Sequence, residues 1–284
     1  MDQFFTNKLI AQQLFNELIN ILEINEENHL FLEPSAGDGS FSDLPTNCLA
    51  YDLQPMKENI TKQDFLQLNL NYNNLITIGN PPFGKRTKLA VDFFNHASQF
   101  SEVIAMIFPN QFNKYNTQNK LNKNWKLIYT KQLDDDVFYF EDKSFNGIRC
   151  VFQIWVKEDS EFDRFEDLRI SERPVIKLDD VELWQHNGTV NTRKFFDKDW
   201  KYATYRQGYK DYTKLFDRTD YNFIKDRVYN SSDQFFFMNP LTDEAENIIK
   251  LIDFENLANQ NTTTRGFGKA DFCAEYLNIK NREL

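Results

Sequence analysis

Six short apolar runs separated by turn residues, with one amphipathic stretch set between the third and the fourth, constrain this 284-residue chain more than any other feature. The runs are HLFLE at 29–33, CLAYD at 48–52, LITIGN at 75–80, VIAMIFP at 103–109, WKLIYT at 125–130 and CVFQIWV at 150–156. Each has the length and the bulky or β-branched content of a strand. Residues 87–100, TKLAVDFFNHASQF, repeat their apolar positions at helical spacing. Strands that alternate with helices need crossover connections, so the pattern predicts an α/β, Rossmann-like, mostly parallel sheet with helices on both faces. The fifth and sixth runs are joined by KQLDDDVFYFEDKSFNGIR, which has no helical period, and the terminal strand is therefore expected antiparallel. A helix opens the chain, with Leu9, Ile10, Leu14, Phe15, Leu18, Ile19 and Leu22 on its apolar side and Thr6 as its expected N-cap. After Lys157 the charged, weakly periodic EDSEFDRFEDLRISERP reads as a linker. The expected domains are 1–158 and a smaller C-terminal α+β domain, 159–284. The Asn-rich PNQFNKYNTQNKLNKNW, from Pro109, reads as a polar loop.

A net charge of -10 argues against non-specific coating of nucleic acid, which depends on many cations neutralising phosphates, so any such site has to be local. Cys48, Cys150 and Cys273 are widely spaced and odd in number, and His29, His96 and His186 fall in no ligand spacing. Neither a disulfide framework nor a metal site is expected. No apolar run is long enough to span a bilayer, and MDQFFTNKLIAQQLFNEL does not read as a signal peptide, which places the chain in the cytoplasm by expectation. Aromatic residues make up 15 %, more than an ordinary core requires, leaving rings for stacking on flat ligands.

The first run ends in Glu33-Pro34-Ser35-Ala36-Gly37-Asp38-Gly39-Ser40-Phe41. Small residues at a strand C-terminus let the backbone pass close beneath a ligand, where α/β folds bind cofactors. The dinucleotide fingerprint is absent, and Glu33 with Asp38 would repel a pyrophosphate. A cationic cofactor suits them better, and S-adenosylmethionine has a sulfonium and an ammonium group together with a carboxylate that backbone N–H groups can meet. Asp52 closes the second run where an acid catches ribose hydroxyls. Asp64-Phe65 follows, an acceptor for an adenine amino group beside a ring for its face. Taken singly, such Asp residues cap turns and Phe65 is core; the ordered series is harder to reach by accident. At Ile76–Arg86, ITIGNPPFGKR puts Asn80-Pro81-Pro82-Phe83 directly after the third run. Two prolines stop both helix and ladder, so the turn is stiff.

FFTNKLIAQQL, FLEPSAGDGSF, YD, QDF and NPPF, in this order, resemble the amino-methyltransferases, specifically the N6-adenine DNA methyltransferases whose target-recognition region follows the catalytic domain. The resemblance covers roughly the first 158 residues and is strongest in the first 110. It implies that Thr6 and Glu33, Pro34, Ser35, Ala36, Gly37, Asp38 and Gly39 hold the methionine part of S-adenosylmethionine, that Asp52 holds the ribose, and that Asp64 with Phe65 holds the adenine. The exocyclic amine of adenine is a poor nucleophile because its lone pair is delocalised into the ring. Two fixed acceptors, the Asn80 side-chain oxygen and the Pro81 carbonyl, would localise that pair, with Pro81 and Pro82 keeping them rigid and Phe83 stacking on an extruded base.

A second aromatic should cover the other face of the base, and Phe145 is the candidate from Phe138, Tyr139, Phe140 and Phe145, with packing at the sheet end as the alternative. Lys85 and Arg86 either touch flanking phosphates or belong to a solvated loop. In residues 193–227 basic and aromatic residues interleave, which makes Tyr205, Arg206, Tyr209 and Lys210 substrate-binding candidates; the other reading is a small aromatic core. Arg265 and Lys269 form a second basic candidate. The expected partner is DNA, within a restriction–modification pair or alone, with a cognate nuclease or a basic protein as a possible companion. RNA N6-adenosine methylation and glutamine N5-methylation are alternatives with the same chemistry, and a catalytically silent binding module is a third.

Overall fold

The computed structural model describes residues 5–133, 137–140, 143–145, 149–209, 211–260 and 264–283. The chain divides into two compact units, residues 1–172 and 173–284. In unit 1 the elements run β1 (Phe5–Thr6), α1 (Lys8–Leu22), β2 (Phe31–Glu33), β3 (Cys48–Asp52), β4 (Thr61–Lys62), β5 (Leu75–Gly79), α2 (Lys88–Ala97), β6 (Ser101–Pro109), α3 (Tyr115–Gln118), β7 (Trp125–Leu133), β8 (Phe138–Phe140), β9 (Lys143–Phe145) and β10 (Cys150–Lys157). The six apolar runs all become strands. The opening helix forms as its period requires, but its N-cap is Asn7, whose side chain accepts from the Leu9 N–H at 3.0 Å. Thr6 lies one residue earlier in β1, already committed to an extended ladder.

Seven strands make one sheet in the order β4-β3-β2-β5-β6-β10-β7. The pairs from β4 through β6 are parallel, whereas β10 is antiparallel to both β6 and β7. The α/β class with an antiparallel terminal strand is thus the observed one. The sheet is buried on both faces, which is why β6 and β10 read as almost unbroken apolar runs and not as alternating ones. Ala11, Leu14, Phe15 and Leu18 of α1 cover one face with Phe31, Ile76, Ile78, Val103 and Phe152. Ala90, Phe93, Phe94 and Ala97 of α2 cover the other with Leu32, Leu75, Ile104, Met106 and Trp155. Polar groups inside this sheet are matched: the Thr77 and Ser101 hydroxyls lie 2.6 Å apart, and the Trp155 Nε1–H donates to Gln153 at 3.1 Å.

Two expectations are corrected here. The Asn-rich stretch is structured, with Phe112, Gln118 and Leu121 buried and the Gln118 amide donating to the Phe112 carbonyl at 2.8 Å. The stretch after Lys157 is no linker, and unit 1 continues through Glu172. Its charges are used internally. Lys126 pairs with Asp163 at 2.6 Å, and the Arg169 guanidinium donates to the carbonyls of Gln118, Leu121, Asn122 and Trp125 while lying over the Trp155 ring. Charge alone does not distinguish a solvated segment from one that closes backbone acceptors.

Unit 2 contains β11 (Val181–His186), β12 (Tyr202–Tyr205), α4 (Tyr221–Asn230), β13 (Phe235–Pro240), α5 (Asp243–Leu251), α6 (Phe254–Asn259) and α7 (Lys269–Glu283). Its antiparallel sheet, β11-β13-β12, gives an α+β unit. The core is aromatic: Phe196, Trp200, Tyr205, Tyr212, Phe216, Phe235, Phe236, Phe237, Phe254, Phe267, Phe272 and Tyr276 are all buried.

Arg169→Ala removes the donor for four backbone carbonyls, and hydrogen bonds to a charged group are worth about 1.5–3 kcal/mol each before relaxation. The variant should destabilise unit 1 by roughly 2–3 kcal/mol. Hydrogen exchange should then quicken in α3 and β7 and stay unchanged in unit 2. Unaltered protection in α3 and β7 would show that residues 158–172 only lie on the surface.

Candidate functional site

The chain turns from β2 outward through β3 and β4 on one side, then restarts at β5 and continues to β6 on the other. The loops after β2 and β5 therefore diverge and leave a crevice at their carboxyl ends, which is where open α/β sheets bind ligands. Both motifs singled out in the sequence fall at this point. The Ser35 hydroxyl donates to the Asn80 carbonyl at 3.0 Å and ties the two loops together.

Residues 33–39 form a tight turn held against β3. The Ala36 N–H donates to the Tyr51 carbonyl at 2.9 Å, and the Gly37 N–H donates to Asp52 Oδ2 at 2.8 Å. Gly37 has a left-handed φ of +50°, and a Cβ there would sit 3.0 Å from the Phe5 ring, so both conformation and space call for glycine. Asp52 is fixed further by the Gln54 N–H, which donates to Oδ1 at 2.7 Å. A carboxylate offers about four lone-pair positions, so two donors orient this one without exhausting it.

Glu33 is buried, and its Oε2 accepts the Ser42 N–H at 2.6 Å. Burial pushes its carboxyl well above the ordinary range, and the charges of Asp38 and Asp52 push the same way, against the Ser42 hydrogen bonds. Gly79 makes room for it: a Cβ at Gly79 would lie 3.2 Å from Glu33 Cγ. Glu33 thus lies under the loop as a supporting group. Asp38 and Ser35 are half-buried, whereas Pro34, Ala36, Gly37 and Gly39 are buried. Thr6 is buried next to them, its carbonyl oxygen 2.9 Å from the Ser40 hydroxyl.

Asp64 caps a short 3-10 turn at Phe65–Gln67, accepting from the Leu66 N–H at 3.0 Å. The Phe65 ring is not open to the surface. It is 1 % exposed and packs against Phe93 at 5.2 Å and edge-on to His96 at 4.9 Å, because α2 brings apolar side chains over this turn. The backbone N–H of Phe65 is the first of its turn and has no acceptor within it.

Asn80 and Pro82 are half-buried and Pro81 is buried directly after β5. Phe83 is half-buried and meets Phe138 edge-on at 6.2 Å. Lys85 and Arg86 are exposed on the following turn, where Gly84, Arg86 and Thr87 take φ values of 67°, 54° and 62°. Positive φ at a β-branched residue such as Thr87 is strained. Phe145 pairs with Phe138 through the backbone, and its side chain lies outside the described residues. A contact that sequence reasoning missed is the Tyr139 hydroxyl, which donates to Asp38. No local pattern announces it, because the two residues lie 101 positions apart.

The candidates in unit 2 are largely reassigned. Tyr205 is 4 % exposed and stacked between Tyr209 and Phe235, at 3.5 and 5.0 Å, and so belongs to the core. Tyr209 is half-buried against the same cluster. Arg206 donates to the Gln234 side chain at 2.5 Å and carries the backbone contacts of its own strand end, a structural use of the cation. Lys210 lies outside the described residues. Arg265 pairs with Glu255, and Lys269 donates to the Leu183 carbonyl at 2.5 Å, so both act within the unit. Interleaved charge and aromatic residues arise equally from a strand with one buried face, which is why the sequence did not separate the readings.

No family model matches the chain, and no curated protein matches it. Among solved structures it is similar to the 23S rRNA methyltransferase ErmE, at 15 % identity over 56 % of this chain and 71 % of that one, with a TM-score of 0.39. It is also similar to a putative RNA methyltransferase from Pyrococcus horikoshii, at 16 % identity over 55 % and 87 %, with a TM-score of 0.43. A third is magnesium protoporphyrin IX methyltransferase from Synechocystis PCC 6803 with bound SAM, at 16 % identity over 52 % and 81 %, with a TM-score of 0.36.

The raised Glu33 carboxyl gives a pH signature. A group that holds its proton more tightly when folded contributes stability that is complete below its unfolded value and is lost as pH rises through the folded one. Glu33→Gln keeps an acceptor for the Ser42 N–H and has no proton to lose. Its melting temperature relative to wild type should therefore climb as pH rises above the ordinary carboxylate range. A difference that is flat or falls with pH would overturn this account of Glu33.

Proposed function

We propose that this chain transfers a methyl group from S-adenosylmethionine to the N6 amino group of adenine in DNA, with the target base turned out of the duplex. The observation that carries the reading is the Ser35–Asn80 hydrogen bond at the switch point, which seats the acceptor-bearing turn directly against the small-residue loop. S-adenosylmethionine supplies a methyl group made electrophilic by its sulfonium. The donor set fits it. Asp38 and Asp52 are acceptors for ammonium and hydroxyl groups, and Asp64 beside the Phe65 N–H pairs an acceptor with a donor, the pattern of an adenine edge. Gly37 leaves the loop backbone open to close approach. Asn80 and the Pro81 carbonyl accept the two hydrogens of the target amine and localise its lone pair for attack. Preorganised acceptors of this kind need no reorganisation as charge develops. The half-buried Phe83 offers one face for the base.

The DNA contact is assigned to exposed groups of unit 2 in place of its core. The negative excess of the chain lies in unit 1, and unit 2 is close to neutral. The acidic excess is thus not carried by the unit offered to phosphates. On α4, Phe223 and Tyr229 are 45 % and 37 % exposed. Lys214 and Arg227 lie 5.8 Å from the Phe223 ring centre, and Arg193 lies 5.4 Å from that of Tyr229. Exposed rings flanked by cations suit a nucleic-acid strand.

Two outcomes are expected. Asn80→Ala should lower kcat by about 10²–10³ while cofactor affinity stays within about threefold, because the amide acts on the target amine. Nucleoside mass spectrometry of DNA and RNA exposed to the enzyme reads product and polymer together; methyladenosine confined to RNA would replace the substrate, and equal loss of binding and rate would make Asn80 a turn residue. Phe223→Ala should weaken DNA binding by about 1–3 kcal/mol with the salt slope unchanged, since stacking releases no counterions. A Phe223→Ala variant that binds DNA as wild type does would remove α4 from the interface.

A further inference from the structure

β1, β8 and β9 form a small antiparallel sheet of their own, with Phe5 opposite Tyr139 and Thr6 opposite Phe138. The Asn7 N–H donates to the Val137 carbonyl at 2.8 Å and extends this pairing. The sheet touches both halves of the candidate site. On the cofactor side, Tyr139 donates to Asp38 Oδ2, and the Phe5 ring rests against Gly37 and 5.7 Å from the Tyr139 ring. On the substrate side, Phe138 meets Phe83 edge-on at 6.2 Å. Adjacent residues of one strand therefore face opposite halves of the site, as alternation along a strand requires.

Asp38 is held at both oxygens. Oδ1 accepts the Ser40 N–H at 3.2 Å, and the Ser40 hydroxyl lies 2.6 Å from Oδ1 and 2.9 Å from the Thr6 carbonyl oxygen. One hydroxyl has one proton, so Ser40 donates to Asp38 or to β1, not to both. A cation that draws on the Asp38 carboxylate competes with the hydroxyls of Ser40 and Tyr139 for its electron density. The first is bonded to β1 and the second is part of β8.

We infer that Tyr139 is a positioning residue that couples cofactor occupancy to the grip on the target base. This rests on the methyltransferase reading above. The path is contiguous: cofactor loop, Asp38, Tyr139, the β8 backbone, Phe138, and then Phe83, whose ring faces the base. The Ser35–Asn80 bond joins the loops separately, so loss of the Tyr139 hydroxyl leaves the catalytic turn attached. Because coupling between two sites is reciprocal, a filled cofactor site tightens the hold on DNA by the factor with which DNA tightens the cofactor.

The test uses the full chain, Tyr139→Phe, Asp38→Asn and the double variant. Duplex fragments of unmethylated genomic DNA are titrated by anisotropy with and without S-adenosylhomocysteine, and calorimetry gives the affinity for S-adenosylhomocysteine alone. Wild type should bind DNA at least about fivefold tighter with S-adenosylhomocysteine present. Tyr139→Phe should lose most of that gain, raise KM for DNA more than it lowers kcat, and keep its melting temperature and its affinity for S-adenosylhomocysteine within about threefold. The double variant should lose no more coupling than either single one, since all three break the same contact. Coupling that survives in Tyr139→Phe, or that is absent from a wild type active on DNA, overturns the inference alone. A Tyr139→Phe variant whose affinity for S-adenosylhomocysteine falls as far as its coupling also overturns it, leaving Tyr139 as a prop of the loop. A wild type that binds no S-adenosylhomocysteine removes the methyltransferase reading and this inference together.

Discussion

The parallel pairing of β2 with β5, Phe31 beside Ile76 and Leu32 beside Thr77, is the constraint on which the rest of unit 1 depends. Two parallel neighbours whose chains leave in opposite directions send their connections to opposite sides, so a crevice opens beyond the strand ends. The residues at that crevice then determine its chemistry. A turn of small residues leaves one strand, a stiff Asn-Pro-Pro turn leaves the other, and a serine hydroxyl bridges them. Apolar clusters on both faces hold the pair in register, with α1 on one side and α2 on the other.

Carboxylates near this crevice are sorted by burial. Glu33 is beneath the loop, where desolvation favours its neutral form, and it supports the backbone of Ser42. Asp52 and Asp38 are at the rim, oriented by backbone and hydroxyl donors and still able to accept more. Three acids of similar type in the sequence are thus distinguished by burial, Glu33 fully buried and Asp38 and Asp52 half-buried. The same sorting occurs among the cations: Arg169 and Arg206 are spent on internal acceptors, whereas Lys85 and Arg86 face solvent.

Much was legible in the sequence because backbone periodicity is a local property. The six runs became strands and residues 88–97 became a helix, since strand and helix periods are written in neighbouring residues. The weak connection after β7 correctly pointed to an antiparallel last strand. Glu33 and Asp52 fall at the ends of β2 and β3, and Asp64 and Asn80 just after β4 and β5, because strand ends follow from strand positions. Thr6 was misassigned as a cap by a single residue: Asn7 offers the same kind of acceptor, and Thr6 is held in β1 by a partner, Phe138, 132 positions away.

By itself, then, the sequence determined the strand and helix segments, the α/β class, and the residues at the loops of the switch point, all consequences of spacing along the chain. Tertiary structure alone decided which aromatic and charged side chains are spent inside. Phe65 and Tyr205 look like stacking rings and are core, Arg206 looks like a phosphate contact and holds Gln234, and residues 158–172 look like a linker and close the end of unit 1. The reason is geometric. A residue type states what a side chain is able to do, but burial and partner depend on which distant segments arrive beside it, as the Tyr139 hydroxyl on Asp38 shows.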